Sequence, residues 1–491
     1  MSIGGGTFTA YNKILPGTYF RNFSRPRPIM QVRGKGTVIM PLDLSWGSED
    51  DFIEVFAMDL LDGRSRSKIG LTAYDDFKLT KTLETTLGNC RKVLAMRKNR
   101  GGSPAMAGIE DLVATAAQTG TAGDNLAFAI TAIEGTNLFN VSVLWKGQTV
   151  EPIQEVQTLG EIESGDFIKW SWSADDDTPL TDYVTAGVDL NGGTDGTFNS
   201  ATFYPDFFQK AKFQNWDVMR LNTFDPAVIR NGIQYIRRLS DEEGIYGQIV
   251  VPNDRNIGEV NDELVITVED KVWLVGEERQ DASIENLVGI VAGMRASNPL
   301  NSNIANTPLY QVAGVLNPKD KHEHENAIRR GVMTVWYDIH DGIHSFVRDI
   351  NTFRIFTPLK NEEYHYNQTI DLLRDMKRNI ARAWKRYENT VLNNDIGRIL
   401  WHSEVDTLLA SYAAQGLLAE YEGVDDIVVL GRDEMENPNW INSVSGKLRS
   451  AILSAQIDIT GLGLTKADVV TIFVINNVVQ MERLYATAIT E

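Results

Sequence analysis

PAVIRNGIQYIRRLSDEEGIYGQIVV, residues 226–251, reads as a helix over Pro226–Glu243 followed by a strand-like run, Ile245–Val251. Downstream, Leu264–Val275 gives two strands and Glu285–Ala296 a helix, whose Gly289 and Gly293 sit four apart and permit close packing. Upstream, Gly36–Trp46 (GTVIMPLDLSW) alternates like a strand, with Pro41 marking an edge or a bulge. Ile69–Arg97 adds a helix around Asp75–Asn89 and a strand at Val93–Arg97. The fold class expected is therefore α/β (α+β), multidomain, with mixed sheet and helices.

Residues 119–197 interrupt this pattern. Leu126–Ile133, Phe139–Lys146 and Phe167–Ser173 are short β-type runs between Gly-rich turn signals, the spacing of a small β-sandwich. Residues 331–491 form a last unit. Its clearest element is the helix Gln368–Leu392, with one largely apolar stripe (Leu373, Met376, Ile380, Ala383, Trp384) and Arg374, Lys377, Arg378, Arg382, Lys385 and Arg386 on the remaining faces. Asn393-Asn394-Asp395 ends it, and a second helix runs to about Gln415, with Gly416 as its stop. Ile427–Leu430 and Val469–Ile475 are apolar on both faces and expected to be central strands. At the start of the chain, Gly4-Gly5-Gly6, Pro16-Gly17, Pro26 and Pro28 give residues 1–30 the character of an extended arm.

The chain is 491 residues long, about three times a typical single domain. Apolar residues make up 43% and charged residues 23%, enough to bury a sizeable core. A single cysteine, Cys90, allows no intrachain disulfide. The first ten residues lack a signal-peptide layout, and no apolar run approaches ~18 residues, so a soluble protein of a reducing cytoplasm is expected. The net charge of -19 is uneven: residues 1–100 carry 16 cations against 10 acids, and residues 101–200 carry 2 against 15. The first acid is Asp43, preceded by Lys13, Arg21, Arg25, Arg27, Arg33 and Lys35. So acidic a chain makes a poor nucleic-acid binder. Its basic start against an acidic body suggests contacts between copies.

No catalytic, cofactor-binding or metal-binding set emerges. Gly446-Lys447 lacks the glycine and the Ser/Thr of a phosphate loop, and Gly4-Gly5-Gly6 follows no strand. His322 and His324 sit among charges at a helix entry and read as solvated surface; Asp341-Gly342 makes the His340–His344 segment a turn. Asp175-Asp176-Asp177 lacks the alternation of a calcium loop. Cys90 reads as a packed thiol behind Leu83 and Leu87.

Several segments, taken in order, resemble the sheath proteins of contractile phage tails and phage-tail-like bacteriocins, particularly those of Gram-positive phages. Leu15-Pro16-Gly17-Thr18-Tyr19 resembles the family's N-terminal Pro-Gly-x-Tyr, and Gly36–Gly47 the strand after it. Gly120–Asn125 resembles a Gly-x-x-Gly-Asn-like turn, with Asp124 inserted. Most specific is Asp341–Pro358, DGIHSFVRDINTFRIFTP, similar to the family's Arg-Asp-Ile-Asn-Thr and Phe-Thr-Pro stretch. Ile370–Leu373, Asn393–Asp395 and Met481–Tyr485 (MERLY) follow in family order, and the likeness is weakest over 130–200.

The resemblance implies a non-enzymatic sheath subunit without cofactor. It would polymerise as stacked rings around a tail tube and contract to drive that tube through a cell envelope. Implied partners are neighbouring copies, the tube protein, baseplate and tail terminator, without nucleic acid or direct membrane insertion, assembled in the bacterial host cytoplasm. The expected layout is an N-terminal exchange arm (1–30), an α/β middle domain (31–118 and 198–330), an inserted β-rich outer domain (119–197), a C-terminal sheath core (331–477) and a C-terminal exchange arm (478–491). Leu15, Pro16, Gly17, Tyr19 and Phe20, with Met481, Leu484, Tyr485 and Ile489, are the expected exchange residues. Arg378, Arg382, Lys385 and Arg386 are candidates for the tube contact. The competing reading is a carbohydrate-binding adhesin using Trp145, Trp170 and Trp172 of the insertion, although such aromatics more often form a core.

Overall fold

The computed structural model describes residues 4–7, 17–20, 36–253, 260–357, 360, 362–384, 386, 395–424, 428–432, 438–448, 453–462 and 469–475. The chain falls into two compact units, one built mainly on Gly34–Asp375 and the other mainly on Met376–Lys447 and Ala455–Phe473.

The first unit is organised by a seven-stranded sheet. Its strands are β1 (Thr37–Leu42), β2 (Ile53–Phe56), β3 (Lys92–Arg97), β4 (Val218–Arg220), β5 (Gln248–Pro252), β6 (Val265–Val268) and β7 (Val332–Met333). Their spatial order is β7-β6-β5-β4-β1-β3-β2, and only β2 runs antiparallel to its neighbour. Strands β1, β4, β5 and β6 are buried along their whole length, as continuous Val/Ile runs in a parallel sheet require. Pro41 is not on an edge strand: β1 lies between β4 and β3. Because β4 reaches only Val38 and Ile39, the β4 side of β1 is unpaired at Pro41, where a residue without an N–H is tolerated.

Helices α1 (Phe77–Leu87), α2 (Pro226–Glu242) and α3 (Ile284–Ser297) start where the chemistry favours it. Asp76, Asp225 and Ser283 cap backbone N–H groups, and Pro226 fills the first turn of α2. Helix α3 is buried nearly all round and packs on α1. Gly289 and Gly293 make that approach possible: a Cβ on Gly293 would stand 2.4 Å from the Thr86 carbonyl oxygen. Gly293→Val is expected to cost about 1–3 kcal/mol by overpacking, read as a lowered denaturant midpoint.

The β-rich insertion begins earlier than residue 119. Pro104–Ile109 and Leu112–Thr119 pair with each other, and the latter with Ile168–Trp172, in a three-stranded sheet. Leu126–Ala132, Phe139–Trp145 and Thr185–Asp189 belong to a second sheet. Between them lies a separate core containing Phe128, Trp145, Phe167 and Trp170, completed by Trp46 from the loop after β1. Trp46 meets the Trp145 ring edge-on at 5.6 Å. Arg100 bridges Thr197 and Ser103 bridges Thr194, so the two ends of the insertion run side by side. Fully buried Arg97 ties this root to the sheet, donating to the carbonyls of Gly47 (3.1 Å), Thr119 (2.7 Å) and Asp195 (3.0 Å). At Gly120 (φ 128°) a Cβ would fall 1.9 Å from the Ser45 oxygen, so this turn admits only glycine.

Residues 331–375, expected to open the C-terminal core, group with the α/β unit, because β7 adds in parallel to β6. Helix α4 (Asn367–Trp384) begins in the first unit and ends in the second; Lys385, Tyr387 and Val391 of the longer helix expected lie outside the described residues, and Arg386 stands in a turn. In the second unit α5 (Asp395–Ala414) ends before Gly416, which adopts φ 74°. A five-stranded sheet follows, ordered Leu418–Val424, Pro438–Leu448, Leu453–Leu462, Val469–Ile475, with Val428–Arg432 also on Pro438–Leu448. Among the described residues Val469–Ile475 closes this order at its end rather than lying centrally, because it has one strand neighbour.

Candidate assembly surfaces

The stretch 341–357 is a structural staple. Val335–Asp338 and Ile343–Phe346 form a hairpin whose turn contains Gly342 at φ 68°. Beyond it, Asp349 is buried and accepts from Arg295 Nη1 (2.8 Å), the Ile304 N–H (3.2 Å) and Asn367 Nδ2 (2.7 Å). Arg295 Nη2 donates to Asp371 Oδ2 at 2.6 Å, and Arg374 Nη1 to Asp371 Oδ1 at 3.2 Å. Two arginines and two aspartates thus form a neutral, buried tetrad. Burial opposes the charge of Arg295, but Asp349 and Asp371 outweigh it and raise its pKa above the ordinary guanidinium value. Asn351 donates to the Tyr364 carbonyl (2.8 Å), and Thr352 Oγ1 to that of Asp262 (2.9 Å). Arg348 alone of this Arg-Asp-Ile-Asn-Thr run is exposed.

The candidate tube-contact helix is less uniformly cationic at its surface than its sequence implies. Arg374 is buried, not exposed: besides Asp371 it donates to the carbonyls of Asp217 (3.0 Å) and Tyr246 (3.1 Å). Arg378 is half-buried and Arg382 exposed. Exposed Arg386 is ion-paired to Glu404 of α5, and Lys385 lies outside the described residues. Thr369, Leu373, Met376, Ile380 and Ala383 are buried, as the stripe requires.

Of the exchange-arm residues, Gly17, Tyr19 and Phe20 belong to the strand Gly17–Phe20, which pairs in parallel with Gly4–Thr7. Leu15, Pro16, Met481, Leu484, Tyr485 and Ile489 lie outside the described residues.

The remaining candidates for chemistry resolve into packing. His324 is buried rather than solvated, because its ring Nδ1 meets Thr334 Oγ1 at 2.9 Å; burial lowers its pKa. His344 stacks on Tyr337 at 4.8 Å. The Cys90 thiol is buried and pushed up to about 12 by desolvation, unreactive at neutral pH. Trp145 and Trp170 are core residues, which removes the aromatic platform that an adhesin would use. Among the described residues no group of His, Cys, Asp and Glu could hold a metal, and no helix is long and apolar enough to cross a membrane.

Sequence reasoning missed the tetrad. Its only local trace is the Arg348-Asp349 and Ile370-Asp371 pattern; nothing near residue 295 announces that it meets either carboxylate.

Comparison with known proteins agrees with the resemblance. Residues 359–490 match the phage tail sheath C-terminal domain family. The phage-like element PBSX protein XkdK of Bacillus subtilis is 26% identical over 398 residues, 78% of this chain and 82% of that protein. The fold is that of sheath tail proteins. The one from Desulfitobacterium hafniense superposes with a TM-score of 0.74 at 22% identity, covering 90% of this chain and 99% of its own. Another, from Listeria innocua, gives 0.73 at 19%, covering 91% and 96%.

Proposed function

We propose that this chain, with a sheath C-terminal-domain match over 359–490 and the fold of sheath tail proteins, is the sheath subunit of a contractile tail. It polymerises around a tail tube and contracts to drive the tube through a target envelope. The observation that carries this reading is the shared fold, which spans nearly the whole of two sheath tail proteins rather than one domain of them. Its partners are neighbouring copies, the tube protein, a baseplate and a tail terminator, and it assembles in the host cytoplasm. Contraction draws on repacking between protein bodies.

The segments Leu15–Phe20 and Met481–Ile489 serve as strands lent to neighbouring copies. One such strand, with roughly five backbone hydrogen bonds at about 1 kcal/mol each, gives about 5 kcal/mol. Fixing a free subunit in place costs on the order of 4–15 kcal/mol. One arm is therefore insufficient, and assembly needs several arms acting together on each subunit.

The exposed end of α4 and the residues after it form the surface that meets the tube. A weak multivalent contact suits a sheath that must later release it, since exposed ion pairs contribute only ~0.2–1 kcal/mol each. Arg382→Glu with Lys385→Glu, sparing Arg386 because of Glu404, is expected to abolish loading onto purified tail tubes while leaving the monomer's Tm nearly unchanged. Unimpaired loading would remove this surface from the interface. The reading as a whole is tested by sedimentation: the concentrated protein is expected to grow into large polymers, and a monomer at every concentration contradicts it.

A further inference from the structure

A cavity of about 1180 Å³ opens beyond the carboxyl ends of β5 and β6. Its wall carries Lys271, Lys319, Arg330 and Arg354 against Glu269 and Asp270. Lys319 pairs with Asp270 and, at 3.3 Å, with Glu269; Arg330 Nη2 donates to both Glu269 oxygens at 3.0 Å. Even without Arg354, three cations (Lys271, Lys319 and Arg330) stand against two carboxylates on this described wall, in a chain of net charge -19. Lys271 is exposed and makes no ion pair among the described residues. Burial pushes Glu269 up, but Lys319 and Arg330 outweigh it and hold it below the usual carboxylate range, so Glu269 stays committed to these cations.

The same unit carries the opposite feature on the insertion. Asp175, Asp176 and Asp177 are exposed in a tight turn closed by the Thr178 N–H donating to the Asp175 oxygen (2.9 Å). Two further bonds fix that turn: the Gly160 N–H donates to the Asp176 carbonyl (2.9 Å), and Trp172 Nε1 to Asp176 Oδ1 (2.9 Å). No cation pairs with its carboxylates among the described residues. The turn is therefore pre-organised, and holding it costs no ordering on binding.

We propose that the cavity of one copy receives the Asp175–Asp177 turn of a second copy. The two surfaces are different patches of one chain, so the contact is head-to-tail and extends into an open helical array instead of closing as a two-fold dimer. Lys271 and Arg330 at the mouth meet the carboxylates of Asp175 and Asp177. The contact rests on the reading that the chain polymerises, and it adds to the arm exchange.

The test is a reciprocal charge reversal in the full-length protein. Variant one carries Asp175→Lys with Asp177→Lys, sparing Asp176 because of Trp172; variant two carries Lys271→Glu with Arg330→Glu. Monomer Tm is measured for both. Each variant alone presents like charges on both surfaces, and its self-association at ~0.1 M salt is expected to fall about tenfold or more. In an equimolar mixture every turn of one variant faces an oppositely charged cavity of the other, so association should return, with alternating copies. Undiminished self-association of either folded variant overturns the contact, and so does a mixture no better than its components. Wild-type protein that polymerises in those cases leaves the sheath reading standing; wild type that never self-associates overturns both.

Discussion

Asp349→Ala is expected to lower the folding stability of the α/β unit by about 3–5 kcal/mol, the range for breaking a buried ion pair from one side. The substitution leaves Arg295 fully buried with one carboxylate in place of two, and strands the Ile304 N–H and Asn367 Nδ2 without their acceptor. Each orphaned donor adds a desolvation penalty of about 1–3 kcal/mol if nothing replaces its partner. Water is not a ready substitute at a site closed by Gln248, Asn367 and Asp371. The neighbouring Arg348→Ala, on an exposed side chain, should stay within about ±0.5 kcal/mol. Urea titration of the two variants side by side checks the pair. Equal effects would mean that the tetrad does not hold the unit together.

Deleting residues 1–20 is expected to leave a folded monomer that no longer forms tubes. The deletion removes Gly4–Thr7 and Gly17–Phe20 and stops well short of β1, whose first residue is Thr37. The core of Val38, Met40, Val93, Val250 and Ile266 is untouched, so the thermal transition should be nearly unchanged. Assembly is different, because a loss of about 5 kcal/mol per subunit contact compares with the whole cost of fixing a subunit. Normal tubes from the truncated protein would remove the N-terminal segment from the assembly mechanism.

Much of the α/β body can be read from local signals. Asp225-Pro226 starts α2, the Val/Ile run of β5 follows, and the Gly289/Gly293 spacing marks a close helix contact that α1 fills. What could not be read depends on partners distant along the chain. Pro41 reads as an edge residue, yet β1 is flanked by strands that begin at Lys92 and Val218. Leu112–Thr119 is rich in small residues with weak β preference, and its strand identity comes from pairing with Ile168–Trp172. Arg374 sits at a helix position that patterning assigns to solvent, but the carbonyls of Asp217 and Tyr246 draw it inward. His324 is likewise claimed by Thr334. The candidate assembly surfaces were legible mainly as resemblance, because an interface between copies leaves no catalytic spacing to detect.

Electron microscopy of the purified, concentrated full-length protein tests the central claim most directly. The account predicts hollow tubes built from stacked rings, of constant diameter. Only dispersed monomers or closed dimers, in a protein that melts cooperatively, would contradict it.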